Sequence, residues 1–157
     1  MTVEGCVVRP AQDRDLLGVV RLLERQPGLP VSAVTERQRA SWVAMLGHEG
    51  MCCWVAEVDA VVVGTVTAIV YPNLGYDQHP SALLEAMVVA ESHRRRGVGR
   101  ALVAAALADL QRQSCRKVQV VTHKRHATDG AHDFYRWMGF TAEAEGFRMY
   151  LGGGQGR

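Results

Sequence analysis

Leu83-Leu84-Glu85-Ala86-Met87-Val88-Val89-Ala90-Glu91-Ser92-His93-Arg94-Arg95-Arg96-Gly97-Val98-Gly99-Arg100-Ala101-Leu102 is the stretch that decides how the rest of the chain is read. An apolar, β-branched run passes through a short polar turn into an alanine- and leucine-rich segment, which reads as strand, loop and helix. The first N–H groups of a helix lack internal acceptors and point outward with the positive end of the helix dipole. Gly97 and Gly99 carry no Cβ, so a bulky anion can approach the backbone there. Arg94, Arg95, Arg96 and Arg100 concentrate positive charge at the same point. The pattern describes a phosphate site, and the four arginines suit a pyrophosphate better than a lone ion.

Taken singly, neither half of this pattern means much. Gly-x-Gly occurs in many turns, and an arginine triplet is usually a solvated face. Their position between an apolar strand and the start of a strong helix is what gives them meaning. A dinucleotide fingerprint needs a third glycine at position 102, which is leucine. A P-loop needs Gly-Lys-(Ser/Thr), which does not follow.

Arg94-x-x-Gly97-x-Gly99 resembles the (Arg/Gln)-x-x-Gly-x-(Gly/Ala) signature of the GNAT superfamily of acyl-CoA N-acyltransferases. Downstream, Ala131-His132-Asp133-Phe134-Tyr135-Arg136-Trp137-Met138-Gly139-Phe140 is similar to that family's second motif, Ala-x-x-Phe-Tyr-x-x-x-Gly-Phe. The resemblance covers residues 51–151 well and the N-terminal third loosely. It implies an α/β (α+β) fold, with a mixed, mainly antiparallel sheet of six or seven strands and helices on both faces. It implies that the loop, Arg94 to Arg100 with Val98 included, holds the pyrophosphate of coenzyme A. The strand before it would pair its backbone with the pantetheine arm through Met87, Val88 and Val89. The activity implied is transfer of an acetyl group from acetyl-CoA to a primary amine, small-molecule or peptide, by direct attack in a ternary complex. A homodimer is one arrangement the resemblance allows.

The chain has 157 residues, 48% of them hydrophobic, and a net charge of +2. That length suits one domain, expected over residues 1–151, with a flexible glycine-rich tail at 152–157. The small net charge makes the arginine cluster a local feature rather than a nucleic-acid-wide field. No run of about 18 apolar residues is present, so no transmembrane helix is expected. Cys6, Cys52, Cys53 and Cys115 show no Cys-x-x-Cys spacing and read as small apolar groups in a reduced compartment, which points to the cytoplasm.

The remaining elements follow from periodicity and turn chemistry. Val3 to Arg9 reads as a strand ended by Pro10. Asp13 or Asp15 can cap a helix whose apolar positions are Leu16, Val19, Val20 and Leu23. Pro27-Gly28-Leu29-Pro30 stops it. Thr35 with Gln38 forms a capping box for a second helix through Trp42, Met45 and Leu46. In the resembled family this region lies beside the acceptor pocket. Met51–Val58 and Val61–Val70 read as a hairpin around Asp59-Ala60, and Gly64 marks a bulge or a close backbone approach. A helix from Val98 to near Gln113 then leads to a strand at Lys117–Thr122. Strand, helix, strand requires a crossover, so these two strands should be parallel. Gly139 is the expected C-cap of the helix carrying the second motif, and Phe147–Leu151 the last strand.

Acetyl transfer needs an oriented thioester, a stabilised oxyanion, a neutral amine and a proton for the departing thiolate. Strand 83–90 is expected to supply the first two, with freed N–H groups near Val88. Glu85 is the candidate general base, directly or through a water; the alternative is a surface carboxylate on the polar side of a half-exposed strand. The family match here is best with members reading Ile-Glu-(Asp/Asn)-Val-Val-Val, from which the chain departs at Ala86. Tyr135 is the candidate general acid, since a phenol can donate a proton at neutral pH; otherwise it is an aromatic on a buried helix face. His123, His126 and His132 cluster without a Cys-x-x-Cys or His-Glu-x-x-His companion, so no metal is expected. Two rivals stand beside the enzyme: a non-catalytic acyl-CoA-binding or sensing module, and a nucleic-acid binder, disfavoured because the arginines crowd one loop. No membrane partner is expected.

Overall fold

The computed structural model describes residues 5–24, 31–123, 126 and 128–151. The chain divides into two compact units, residues 1–120 and 121–157. The first unit is built on one five-stranded sheet: β1 (Cys6–Pro10), β2 (Met51–Val58), β3 (Val61–Tyr71), β4 (Ser81–Val89) and β5 (Lys117–Val120). The spatial order is β1-β2-β3-β4-β5, the same as the chain order. The first three pairings are antiparallel, and β4 pairs with β5 in parallel.

The hairpin turns where Asp59 and Ala60 both take left-handed φ, 48° and 63°, the backbone whose twist matches that of the flanking strands. The parallel β4–β5 pair requires the crossover helix α3 (Val98–Arg112). Its buried residues Val98, Leu102, Val103, Ala106 and Leu110 form one stripe at helical spacing. Gly64 of β3 lies under that stripe. A Cβ there would sit 2.9 Å from Leu102 Cδ1 and 3.3 Å from both Val98 Cγ1 and the Val88 carbonyl oxygen, so the expected close approach is met. The next residue, Thr65, faces the opposite side of the sheet by strand alternation. That side is covered by α1 (Leu16–Leu23) and α2 (Glu36–Leu46).

The core under α1 and α2 gathers Leu16, Val19, Val20, Trp42, Cys53 and Val55. Leu22, not Leu23, completes the buried side of α1; Leu23 is 46% exposed. Asp15 does not act as a simple helix cap. It is buried, accepts from the Gln12 N–H at 2.7 Å, and receives both terminal nitrogens of Arg9 at 2.7 and 2.8 Å. Arg9 also pairs with Glu57 of β2. Burial alone would push the Asp15 carboxyl up, but the Arg9 guanidinium and the Gln12 N–H together outweigh it and hold the group below the usual carboxylate range. The second helix begins as expected, with the Gln38 N–H donating to Thr35 Oγ1 and the Thr35 N–H to Gln38 Oε1.

The expected six or seven strands are five among the described residues. Residues 141–151 form no ladder, and Phe147 and Leu151 are 93% and 91% exposed. Their alternation offers a face for burial but supplies no partner for the backbone N–H and C=O groups, and a strand exists only by pairing. The fifth strand also stops at Val120 rather than Thr122. The start of the first strand at Val3, the Pro27–Pro30 stop and the 152–157 tail fall outside the described residues. Among those described, no helix is long and apolar enough to cross a membrane. The four cysteines are free thiols.

The second unit holds α4 (Ala131–Trp137). Ala131, His132, Phe134 and Tyr135 are its half-buried positions, joined by Met138 at its C-cap. Gly139, with φ 94°, closes it in the left-handed conformation that glycine adopts most easily.

Candidate active site

The central feature of β4 is an interruption of its ladder with β3. Thr65 pairs with Val88 and Thr67 with Glu85, so Ala86 and Met87 together oppose Val66. This is a β-bulge, and Ala86 takes a left-handed φ of 52° to make it. On the other edge, β5 pairs only with Ser81–Leu84. Beyond Leu84 the two parallel strands are no longer paired, so the segment carrying Glu85 to Val89 has an edge outside the sheet ladder.

The register also determines which way the backbone faces. Ala90 N–H donates to the Val63 carbonyl at 2.8 Å, so Val88, directly opposite Thr65, turns its N–H and C=O toward β3. Val89 turns its groups the other way, and its carbonyl accepts from Arg94 Nε at 3.2 Å. Chain alternation therefore puts the outward-facing groups on Val89, the neighbour of Val88.

A short 3-10 turn, Glu91–His93, carries the chain from β4 to the arginines. Arg94, Arg95 and Arg96 are exposed. Gly97 has φ 86° and stands as the N-cap of α3, a conformation that costs an L-residue about 1–2 kcal/mol. Val98, Gly99 and Arg100 form the first turn of the 15-residue helix, with the Ala101 N–H donating back to the Gly97 carbonyl at 3.0 Å. The loop thus combines a left-handed glycine, helix-start N–H groups and exposed guanidinium groups, a donor set that fits a pyrophosphate.

Glu85 is exposed. As the cross-strand partner of Thr67, it lies on the face of the sheet that α1 and α2 cover. On that face the structure has a cleft of about 280 Å³. Thr65, Thr67 and Ala86 line it from the sheet, Leu16, Val19, Val20 and Leu23 from α1, and Arg37, Gln38, Ser41, Trp42 and Met45 from α2. Ala86 therefore forms part of the cleft lining, where an acid or amide was expected from the family pattern. The Thr65 hydroxyl is directed away, donating to the Trp54 carbonyl at 3.1 Å. The cleft was missed residue by residue in the sequence. Its one visible trace is the apolar spacing of Leu16, Val19, Val20 and Leu23, which reads equally well as core.

Tyr135 belongs to the second unit. Its ring meets Phe134 and Phe140 edge-on at 5.2 and 5.7 Å. Nearby, Thr122 Oγ1 and His132 Nε2 lie 2.6 Å apart, and His126 Nδ1 pairs with Asp129 at 2.5 Å.

The Acetyltransferase (GNAT) family model matches residues 6–140. The chain belongs to the GNAT acetyltransferase family. A solved structure from Agrobacterium tumefaciens strain C58, assigned as an acetyltransferase, is 31% identical, with 92% of this chain and 99% of that one covered at a TM-score of 0.83. Two others resemble it in fold. An aminoglycoside acetyltransferase from an uncultured soil metagenomic sample, in complex with sisomicin, is 22% identical, covering 95% and 97% at a TM-score of 0.78. The aminoglycoside N-acetyltransferase AAC(6')-Iy, in complex with CoA, is 24% identical, covering 94% of each chain at a TM-score of 0.74.

Proposed function

We propose that this protein is an acetyl-CoA-dependent N-acetyltransferase acting on a primary amine by direct attack. The observation that carries the reading is the continuity of β4 with the α3 loop. One bulged strand leaves the β5 ladder after Leu84 and continues through a short turn into a helix start with a left-handed glycine and exposed arginines. The CoA complex of AAC(6')-Iy, a protein of like fold, supports the choice of cofactor.

Acetyl-CoA supplies an activated thioester carbonyl. The α3 loop binds the pyrophosphate through its N–H groups and arginines. The stretch Met87 to Val89 of β4 aligns the pantetheine arm, and the outward side of the strand faces the oxygen on which negative charge develops. Glu85 takes the proton of the incoming ammonium group, directly or through water, so that the amine attacks neutral. Tyr135 donates a proton to the departing sulfur.

Titration calorimetry of acetyl-CoA against the wild type and Gly97→Glu tests the reading. A glutamate at φ 86° strains the loop and repels phosphate. Micromolar binding by the wild type, weakened a hundredfold or more in the variant (~3 kcal/mol), is expected. A folded wild type that binds no acetyl-CoA would sink the proposal. Binding without turnover on a broad amine panel would leave a non-catalytic acyl-CoA module instead.

A further inference from the structure

The cleft under α1 and α2 has a chemistry that narrows the acceptor. Its apolar side is continuous, Leu16, Val19, Val20 and Leu23 on one helix and Met45 on the other. Its one charged lining residue is Arg37, in the first turn of α2. Among the described residues no carboxylate pairs with Arg37 and none lines the cleft. Two carboxylates stand outside the lining. Glu24 is engaged by Gln38 Nε2 at 2.5 Å, and Glu85 faces the same side of the sheet beside Thr67.

This arrangement suits neither a polycation nor a plain hydrocarbon amine. A multiply charged aminosugar needs several acidic partners, and this cleft presents a guanidinium group and aliphatic walls instead.

Resting on the acetyltransfer reading, we propose that the acceptor is a small zwitterion, an amino acid with an apolar side chain. Its carboxylate pairs with Arg37, its side chain packs on the α1 wall, and its amine is presented at Ala86 beside Glu85. The transfer is balanced: the ammonium group gives one proton to Glu85, the neutral nitrogen forms an amide bond to the acetyl carbonyl, the carbon–sulfur bond breaks, Tyr135 protonates the departing thiolate, and the second nitrogen proton, lost as the amide forms, restores the phenol. Ala86 has a role in this arrangement, since a larger residue at the bulge would fill the place where the amine must stand.

The test measures kcat/KM with acetyl-CoA for L-leucine, L-phenylalanine, leucinamide, phenethylamine and sisomicin, in the wild type, Arg37→Gln and Arg37→Lys. Calorimetry follows acetyl-CoA and leucine binding in parallel. The wild type should prefer each amino acid over its carboxylate-free analogue by about tenfold or more, the worth of one charge-assisted contact. Arg37→Gln should erase that ratio with acetyl-CoA affinity and melting temperature unchanged, and Arg37→Lys should restore part of it. Sisomicin or phenethylamine favoured over leucine, a ratio untouched in Arg37→Gln, or acetyl-CoA bound with leucine neither bound nor acetylated would each overturn this inference alone. Failure to bind acetyl-CoA would bring down the acetyltransfer reading and this inference with it.

Discussion

Gly64 shows how little room separates packing from chemistry at the level of single atoms. A methyl group at this position would meet Leu102 of α3 at 2.9 Å and the Val88 carbonyl of β4 at 3.3 Å. Gly64→Ala should therefore cost about 1–3 kcal/mol by overpacking, lowering the melting temperature by roughly 2–4 °C for each kcal/mol. It should also weaken acetyl-CoA binding, because the displaced backbone is the one proposed to hold the cofactor. Calorimetric melting and titration of the same variant check both halves. Tyr135→Phe separates the two functions in the opposite sense. Removing only the hydroxyl leaves the edge-on contacts with Phe134 and Phe140 in place. Expected are an unchanged melting temperature, unchanged acetyl-CoA affinity and a kcat lower by about a hundredfold or more. Wild-type turnover in this variant would remove Tyr135 from the proposed mechanism.

Among the elements, α1 depends most on a contact made elsewhere. Arg9 of β1 holds Asp15 just before the helix and Glu57 on β2, so one guanidinium group joins two strands to the start of a helix. Asp15→Asn leaves Arg9 with a weakened partner in a largely buried place and should cost roughly 1.5–3 kcal/mol in chemical denaturation. Replacing Arg9 and Asp15 together with Met and Leu should recover much of that loss. Because the folded-state carboxyl titrates below its unfolded value near 3.9, its stabilisation is complete above that value and fades as pH falls through the lower, folded one. Denaturation midpoints measured through the acid limb should fall less steeply in Asp15→Asn than in the wild type. The three-way contact was not legible beforehand, since Arg9, Asp15 and Glu57 are brought together only by strand pairing. What was legible were features with local causes: the Thr35–Gln38 box, the Asp59-Ala60 turn, the α3 helix and the parallel crossover. Local signals failed where pairing decides the outcome, at Phe147–Leu151, and where a helix faces a cleft instead of a core, at Leu23. The arginine–glycine loop was readable because spacing alone creates it. The cleft was not, because its walls come from three distant segments.

At the scale of the molecule, the chain laid down its sheet in numerical order, each strand beside the one before it. On the ribosome, every strand from β2 onward emerges to find its neighbour already made. β1 alone has to wait, since residues 11–50, with both helices of the cleft, separate it from its partner. The hairpin of β2 and β3, closed by two residues, is the cheapest contact to form and the natural seed for strands added on either side. Synthesis therefore completes both helices of the cleft before the arginine–glycine loop exists, and a ribosome stalled after residue 90 would carry a bulged strand with no loop behind it.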